Sequence, residues 1–176
     1  MEGQGKVYNV ALTPITLADE WATVLILGTM PGEESLRKKE YYANPRNTFW
    51  KIMARLFEFG HDASYEERTR ILKKNKIALW DVMQACERQG SLDSAINDRA
   101  IIENDFVSFY RSHPNMRHVF FNGAKAEKEY FKRVQPKLSD EAKGIEYFRL
   151  PSTSAAMAQL SFDAKLLEWS KIKRKT

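Results

Sequence analysis

The sequence predicts an α/β fold, a three-layer α/β/α arrangement around a central, mainly parallel four-stranded sheet. Three observations lead there. Runs rich in branched and aromatic residues recur at Thr23 to Leu27, Ile77 to Leu79, Arg117 to Phe121 and Ile145 to Leu150, the composition of strands. Stretches with apolar residues at helical spacing lie between them. The strands are short and alternate with the helices, which calls for a parallel sheet covered on both faces.

The first strand, TVLIL, runs into a long loop from Gly28 to Asn47. Asn47 or Thr48 can then cap a helix whose Phe49, Ile52, Met53, Leu56 and Phe57 form one apolar stripe. A charged helix is predicted over Ser64 to Lys74, with Tyr65 and Ile71 or Leu72 turned inward. After the second strand, Ile101 to Ser112 repeats the helical pattern through Phe106, Phe109 and Tyr110. Gly123 opens a further helix through Phe131, and the last, from Ser161 to Lys173, sets Phe162, Leu166, Trp169 and Ile172 or Lys173 on successive turns. No repeat or linker interrupts the 176 residues, and their 43% apolar content suits one core. A single domain over 1–176 is expected.

Apolar runs such as TVLIL and HVFF fall far below the roughly 18 residues of a membrane-spanning helix. The opening MEGQGKVYNV lacks the layout of a signal peptide. A soluble, cytoplasmic protein with no membrane partner is therefore expected. One cysteine, Cys86, allows neither an internal disulfide nor a multi-thiolate metal site and reads as a partly buried apolar residue. His61, His113 and His118 lack metal-ligand spacing and read as surface or loop residues. The net charge of +5 suits a polyanionic partner. Arg37, Lys38 and Lys39, and the tail of Lys171, Lys173, Arg174 and Lys175, could meet phosphates or form solvated faces.

In a parallel sheet, ligands gather at the carboxyl ends of the strands. That rule selects the Gly28 to Asn47 loop, Trp80 with Asp81, Asn122 with Gly123, and the loop from Pro151 to Met157. The first loop has neither the Gly-Lys-Ser/Thr of a phosphate-binding loop nor the glycine spacing of a dinucleotide site. Ser152 and Ser154 do not sit in a G-x-S-x-G elbow, and no histidine follows them. What remains is a set of aromatic and amide groups beside a small, hydroxyl-rich loop. Such parts can stack on an extruded base, read its edge and hold distorted phosphates.

The stretch LILGTMPGEESLRKKEYYANPRNTFWKIM, with LPSTSAAMAQL about a hundred residues later, resembles the uracil-DNA glycosylase superfamily. Within it the likeness is greatest to the hypoxanthine-DNA (deoxyinosine) glycosylase family, with WDVMQACERQGSLDSAI and FNGAKA in the same order. The resemblance implies a metal-free, cofactor-free monofunctional glycosylase, active as a monomer on double-stranded DNA containing a deaminated base, nucleoid-associated in a prokaryote. In mismatch-specific relatives the first loop reads G-I-N-P-G, and its asparagine positions the attacking water; here that place is Met30. Uracil-specific relatives begin the second motif with histidine, replaced here by Leu150. Both departures imply that an asparagine of YYANPRN takes over, Asn44 first and Asn47 second, although Asn47 also stands where a helix cap belongs.

By the same resemblance, Gly28, Met30, Pro31, Tyr42, Asp81 and Asn122 line the base pocket. Tyr42 stacks on the ring, and Asp81 accepts from the N1–H of hypoxanthine while a backbone N–H serves its oxygen. Ser152, Thr153 and Ser154 hold phosphates, Ala155 and Ala156 permit close approach, and Met157 is the wedge that enters the base stack. A uracil- or xanthine-excising enzyme of the same fold, and a non-catalytic nucleic-acid-binding module, remain the alternatives.

Overall fold

The computed structural model describes residues 17–176; the MEGQGKVYNV reading lies outside the described residues. Four parallel strands, β1 (Val24–Gly28), β2 (Ile77–Asp81), β5 (His118–Asn122) and β6 (Glu146–Leu150), form one sheet in the order β2-β1-β5-β6. Side chains along β1 alternate between two cores. Val24 and Ile26 pack with Phe49, Ile52, Met53, Leu72 and Trp169, from α2 (Phe49–Phe57), α3 (Tyr65–Lys74) and α6 (Phe162–Trp169). Leu25 and Leu27 pack on the opposite face with Phe106, Phe109, Ala126 and Tyr130, where α4 (Phe106–Ser112) and α5 (Ala124–Glu129) lie. Both faces are thus covered by helices, giving the three layers. All five residues of β1 are buried, as the centre of such a sheet requires.

Several elements differ from the sequence expectation. The first loop contains a helix, α1 (Glu33–Lys38), with Glu33 and Glu34 in its first turn and Arg37 and Lys38 in its last, the arrangement that complements the helix dipole. The helix expected over Ile101 to Ser112 starts only at Phe106. Asp105 ends the preceding extended chain by accepting from Ser108 N at 3.0 Å. Upstream, β4 (Ile102–Glu103) pairs antiparallel with β3 (Met83–Ala85). Beyond α5 the chain widens into a π turn, Tyr130–Val134, and tightens at Gln135–Lys137; Pro136 cannot continue a regular helix.

One histidine departs from the surface or loop reading: His118 opens β5, mostly buried, with Glu146 3.7 Å away. His113 lies in the loop just past α4 and stacks on Phe109. Among the described residues no helix is long and apolar enough to cross a membrane. The basic clusters face carboxylates: Arg37 and Lys38 meet Glu34, Lys171 meets Glu168, and Lys175 meets Glu146.

Candidate active site

The strand register carries Gly28 and Asp81 to one position on the sheet edge, with Asn122 and Leu150 beside them on β5 and β6. Gly28 has no substitute here. A Cβ would collide with Asp81 Oδ1 and stand 3.2 Å from the Tyr42 hydroxyl, so the backbone of β1 ends in direct contact with two candidate base-reading side chains. Asp81 is 6% exposed. Burial pushes its carboxyl up to about 7, the charge of Asp93 adds to the rise, and Arg88 opposes it. A group whose charge changes near neutrality, at the carboxyl end of a parallel sheet, makes this edge the candidate site.

Tyr42 has a positive φ of 54°, a conformation rare for a bulky residue and one that gathers at ligand sites. Its ring stacks on Phe49 with centroids 3.9 Å apart. Phe49 thereby covers one face of the ring. The Tyr42 hydroxyl is buried beside the Asn122 side chain. Burial and the charge of Asp81 push the phenol far above its ordinary range, so it stays protonated.

The turn after Tyr42 is fastened to three helices. Ala43 N donates to Ser35 Oγ, Tyr41 N to the Tyr65 hydroxyl, and Trp50 Nε1 to Tyr41 O. Asn44 is exposed, and its Oδ1 accepts from Arg46 N at 2.9 Å. Asn47 is half-buried, and its Oδ1 accepts from Phe49 N at 2.9 Å. The side-chain acceptor at the start of α2 is therefore Asn47. The Thr48 hydroxyl instead reaches Thr153 O, which the Thr48 N–H also donates to.

That contact joins the first loop to the loop after β6. Asn122 Nδ2 donates to Thr153 Oγ1, and Thr153 N donates to Asn122 Oδ1, both at 2.9 Å. Thr153 is 0% exposed. Its hydroxyl, expected on a phosphate, is turned inward because it completes this clamp. The Asn122 amide, expected to line the base pocket, makes both bonds of the clamp and also lies beside the Tyr42 hydroxyl. Ser152 and Ser154 accept from the N–H groups of Ser154 and Ala156, leaving each hydroxyl proton free to donate. Lys165, itself buried, donates to Met157 O at 2.7 Å. The loop then presents Ala155, Ala156 and Met157 to solvent, together with Leu160, an apolar residue absent from the sequence expectation.

Met30, two residues beyond Gly28, packs with Met83, Cys86 and Ile96 and borders a cavity of about 360 Å³ with Leu36, Cys86 and Arg88. Cys86 is 4% exposed. The Pro31 carbonyl accepts from Arg88 Nη2 at 2.5 Å.

Sequence reasoning gave no role to Arg88, Ser91 or Asp93, which lie over this loop. Ser91 Oγ accepts from Glu33 N at 2.9 Å, and Asp93 Oδ1 lies 4.0 Å from Arg88 Nη1. A signal was present: Gly90 (φ 68°) followed by Ser91 and Asp93 has the composition of a turn that aims polar groups. Arg88 Nη1 is buried and makes no hydrogen bond among the described residues, its nearest carboxylate being that of Asp93, which also lies beside the Thr29 hydroxyl. A buried donor left without a hydrogen bond costs about 1–3 kcal/mol, so the guanidinium fits a ligand that accepts from it. Among the described residues no three His, Cys, Asp or Glu side chains come together as a metal site.

Comparison with known proteins bears on this geometry. The family model of the uracil DNA glycosylase superfamily matches residues 16–172. A hypoxanthine DNA glycosylase of Methanosarcina acetivorans is 41% identical over 157 residues, covering 89% of this chain and 93% of that protein. One from Methanosarcina barkeri is 41% identical over 109 residues, covering 61% of this chain and 68% of its own. A solution NMR structure from M. acetivorans, described as a candidate uracil DNA glycosylase, superposes with a TM-score of 0.74 at 37% identity, covering 91% of this chain and 94% of the other. The chain belongs to the uracil DNA glycosylase superfamily and, within it, to the hypoxanthine DNA glycosylase family.

Proposed function

We propose that this protein is a monofunctional DNA glycosylase that extrudes a deaminated base, hypoxanthine foremost, from double-stranded DNA and hydrolyses its N-glycosidic bond. The observation that carries the reading is the buried carboxyl of Asp81 against Gly28 and the Tyr42 hydroxyl at the sheet edge. The names of the two Methanosarcina relatives support hypoxanthine as the base.

An extruded purine would stack on the face of Tyr42 turned away from Phe49. Asp81, once ionised, accepts from N1–H of hypoxanthine; adenine carries no proton there and gains nothing. Bond cleavage builds positive charge on the sugar, and water must reach C1′ as the base departs with the bonding electrons. Asn47 is the better placed of the two asparagines, half-buried beside the junction with Thr153, whereas Asn44 is exposed. Each carboxamide oxygen accepts one backbone N–H and keeps a second lone pair for a water. Ser152 and Ser154 hold the flanking phosphates, Ala155 and Ala156 let the strand approach, and Met157 enters the vacated stack.

Multiple-turnover assays on duplexes carrying one hypoxanthine, xanthine, uracil or ethenoadenine test this. Release of hypoxanthine ahead of the others, in the presence of a chelator, is expected. Release of uracil alone would reassign the substrate, and intact DNA in every lane would leave a binding module.

A further inference from the structure

The segment after β3 carries a buried cation for which the mechanism above has no task. Arg88 is 5% exposed. Its Nη2 is held by Pro31 O, its backbone bridges Ile96, and Ser91 ties the same segment to the start of α1. These bonds draw the segment across the first loop and fix the guanidinium. Nη1 nonetheless finds no hydrogen-bond partner among the described residues; Asp93 Oδ1, at 4.0 Å, is beyond hydrogen-bond reach. Backbone contacts set how close this lies to the base-reading edge. Gly28 pairs with Asp81, Thr29 O accepts from Met83 N, and Pro31 O accepts from Arg88, so Asp81 and Arg88 flank the same short stretch of loop. The two are also electrostatically coupled.

Hypoxanthine, xanthine and uracil share one edge, a lactam in which a C=O adjoins a ring N–H. Asp81 can serve the N–H but, as a carboxylate, repels the oxygen. The edge needs a donor next to that acceptor, and arginine is the side chain that most often reads a purine O6. We propose that Arg88 donates through Nη1 to the lactam oxygen of the extruded base while Asp81 accepts from its ring N–H. This rests on the glycosylase reading above and makes Arg88 a specificity-determining residue. Adenine presents an amino group where the oxygen would be, so a donor faces a donor and the undamaged base is rejected.

The test is a cycle between protein and substrate. Single-turnover release is measured for duplexes containing hypoxanthine or its 6-thio analogue, which keeps the ring N–H but offers sulfur as a weak acceptor. Wild type, Arg88→Met and Arg88→Gln are compared, with melting temperatures on the same preparations. Glutamine retains an N–H for Pro31 O, so it remains informative should the methionine variant fail to fold. Wild type is expected to prefer the oxo base by about 10-fold or more, the scale of one good hydrogen bond to a charged group, and both variants to lose most of that preference. If Arg88 only braces the loop, both substrates slow equally and the preference is unchanged, which overturns the proposal. A wild type that acts on uracil instead is put through the same cycle with 4-thiouracil. A wild type inert on every lesion overturns the glycosylase reading and this one together.

Discussion

Replacing Asp81 by asparagine should strengthen the fold while weakening the function, and the size of the gain follows from where the carboxyl sits. The group ionises near 3.8 in the unfolded chain and near about 7 in the folded one, chiefly because burial disfavours its charge. Between those values the folded state binds the additional proton, so raising the pH through this window lowers stability. The whole penalty, at about 1.4 kcal/mol for each pH unit, is about 4 kcal/mol; it is absent below about pH 4 and complete above about 7. Asparagine never ionises and escapes it. Its amide brings an added donor, which can cost about 1–3 kcal/mol but does so equally at every pH. Urea denaturation of both proteins at pH 5.5 and 8.5 should therefore show the variant gaining about 2 kcal/mol on wild type between the two. Single-turnover assays should show its preference for hypoxanthine over adenine reduced. A stability difference that stays constant with pH would refute the raised carboxyl and, with it, the reason for placing base reading at Asp81.

Asn47→Ala should slow single-turnover hypoxanthine release by about 10²-fold, the scale for a positioned polar group at a transition state, with Asn44→Ala closer to wild type; the reverse order of rates would move the water to Asn44. Gly28→Ala should cut base release by at least about 10-fold, because the new methyl meets Asp81 Oδ1 and the Tyr42 hydroxyl; a normal rate in a folded variant would count against a base approaching that edge. Thr153→Val should destabilise by about 1–3 kcal/mol through the loss of the clamp with Asn122, while folded molecules bind DNA nearly normally. A large loss of DNA affinity at unchanged melting temperature would return Thr153 to the phosphates.

What could be read from the sequence was local. The four strands and the Phe49 helix follow from side-chain periodicity, which records burial within one element. The ends of parallel strands meet at one edge whatever the loops do, which singled out the loops that hold Gly28, Tyr42 and Asp81, while the roles expected of these residues came from the family resemblance. Helix α1 escaped because six residues, mostly charged, show no apolar stripe. The pairing of β3 with β4 escaped because two or three residues establish no alternation. Arg88 and Ser91 find their partners 57 and 58 residues away in sequence, and no spacing rule foretells such contacts. Thr153 lies among half-buried serines and exposed alanines; its inward turn depends on Asn122, 31 residues earlier.

Hydrolysis of a deaminated purine nucleotide at the Asp81 edge is tested most directly by identifying the products. An inosine-containing duplex is incubated with the enzyme and chelator, and the low-molecular-weight fraction and the DNA strand are analysed by mass spectrometry, with a parallel sample treated with borohydride. Free hypoxanthine is expected in step with an unbroken strand bearing an abasic site, and no protein–DNA adduct. Unaltered inosine, or an adduct trapped by borohydride, would contradict this expectation.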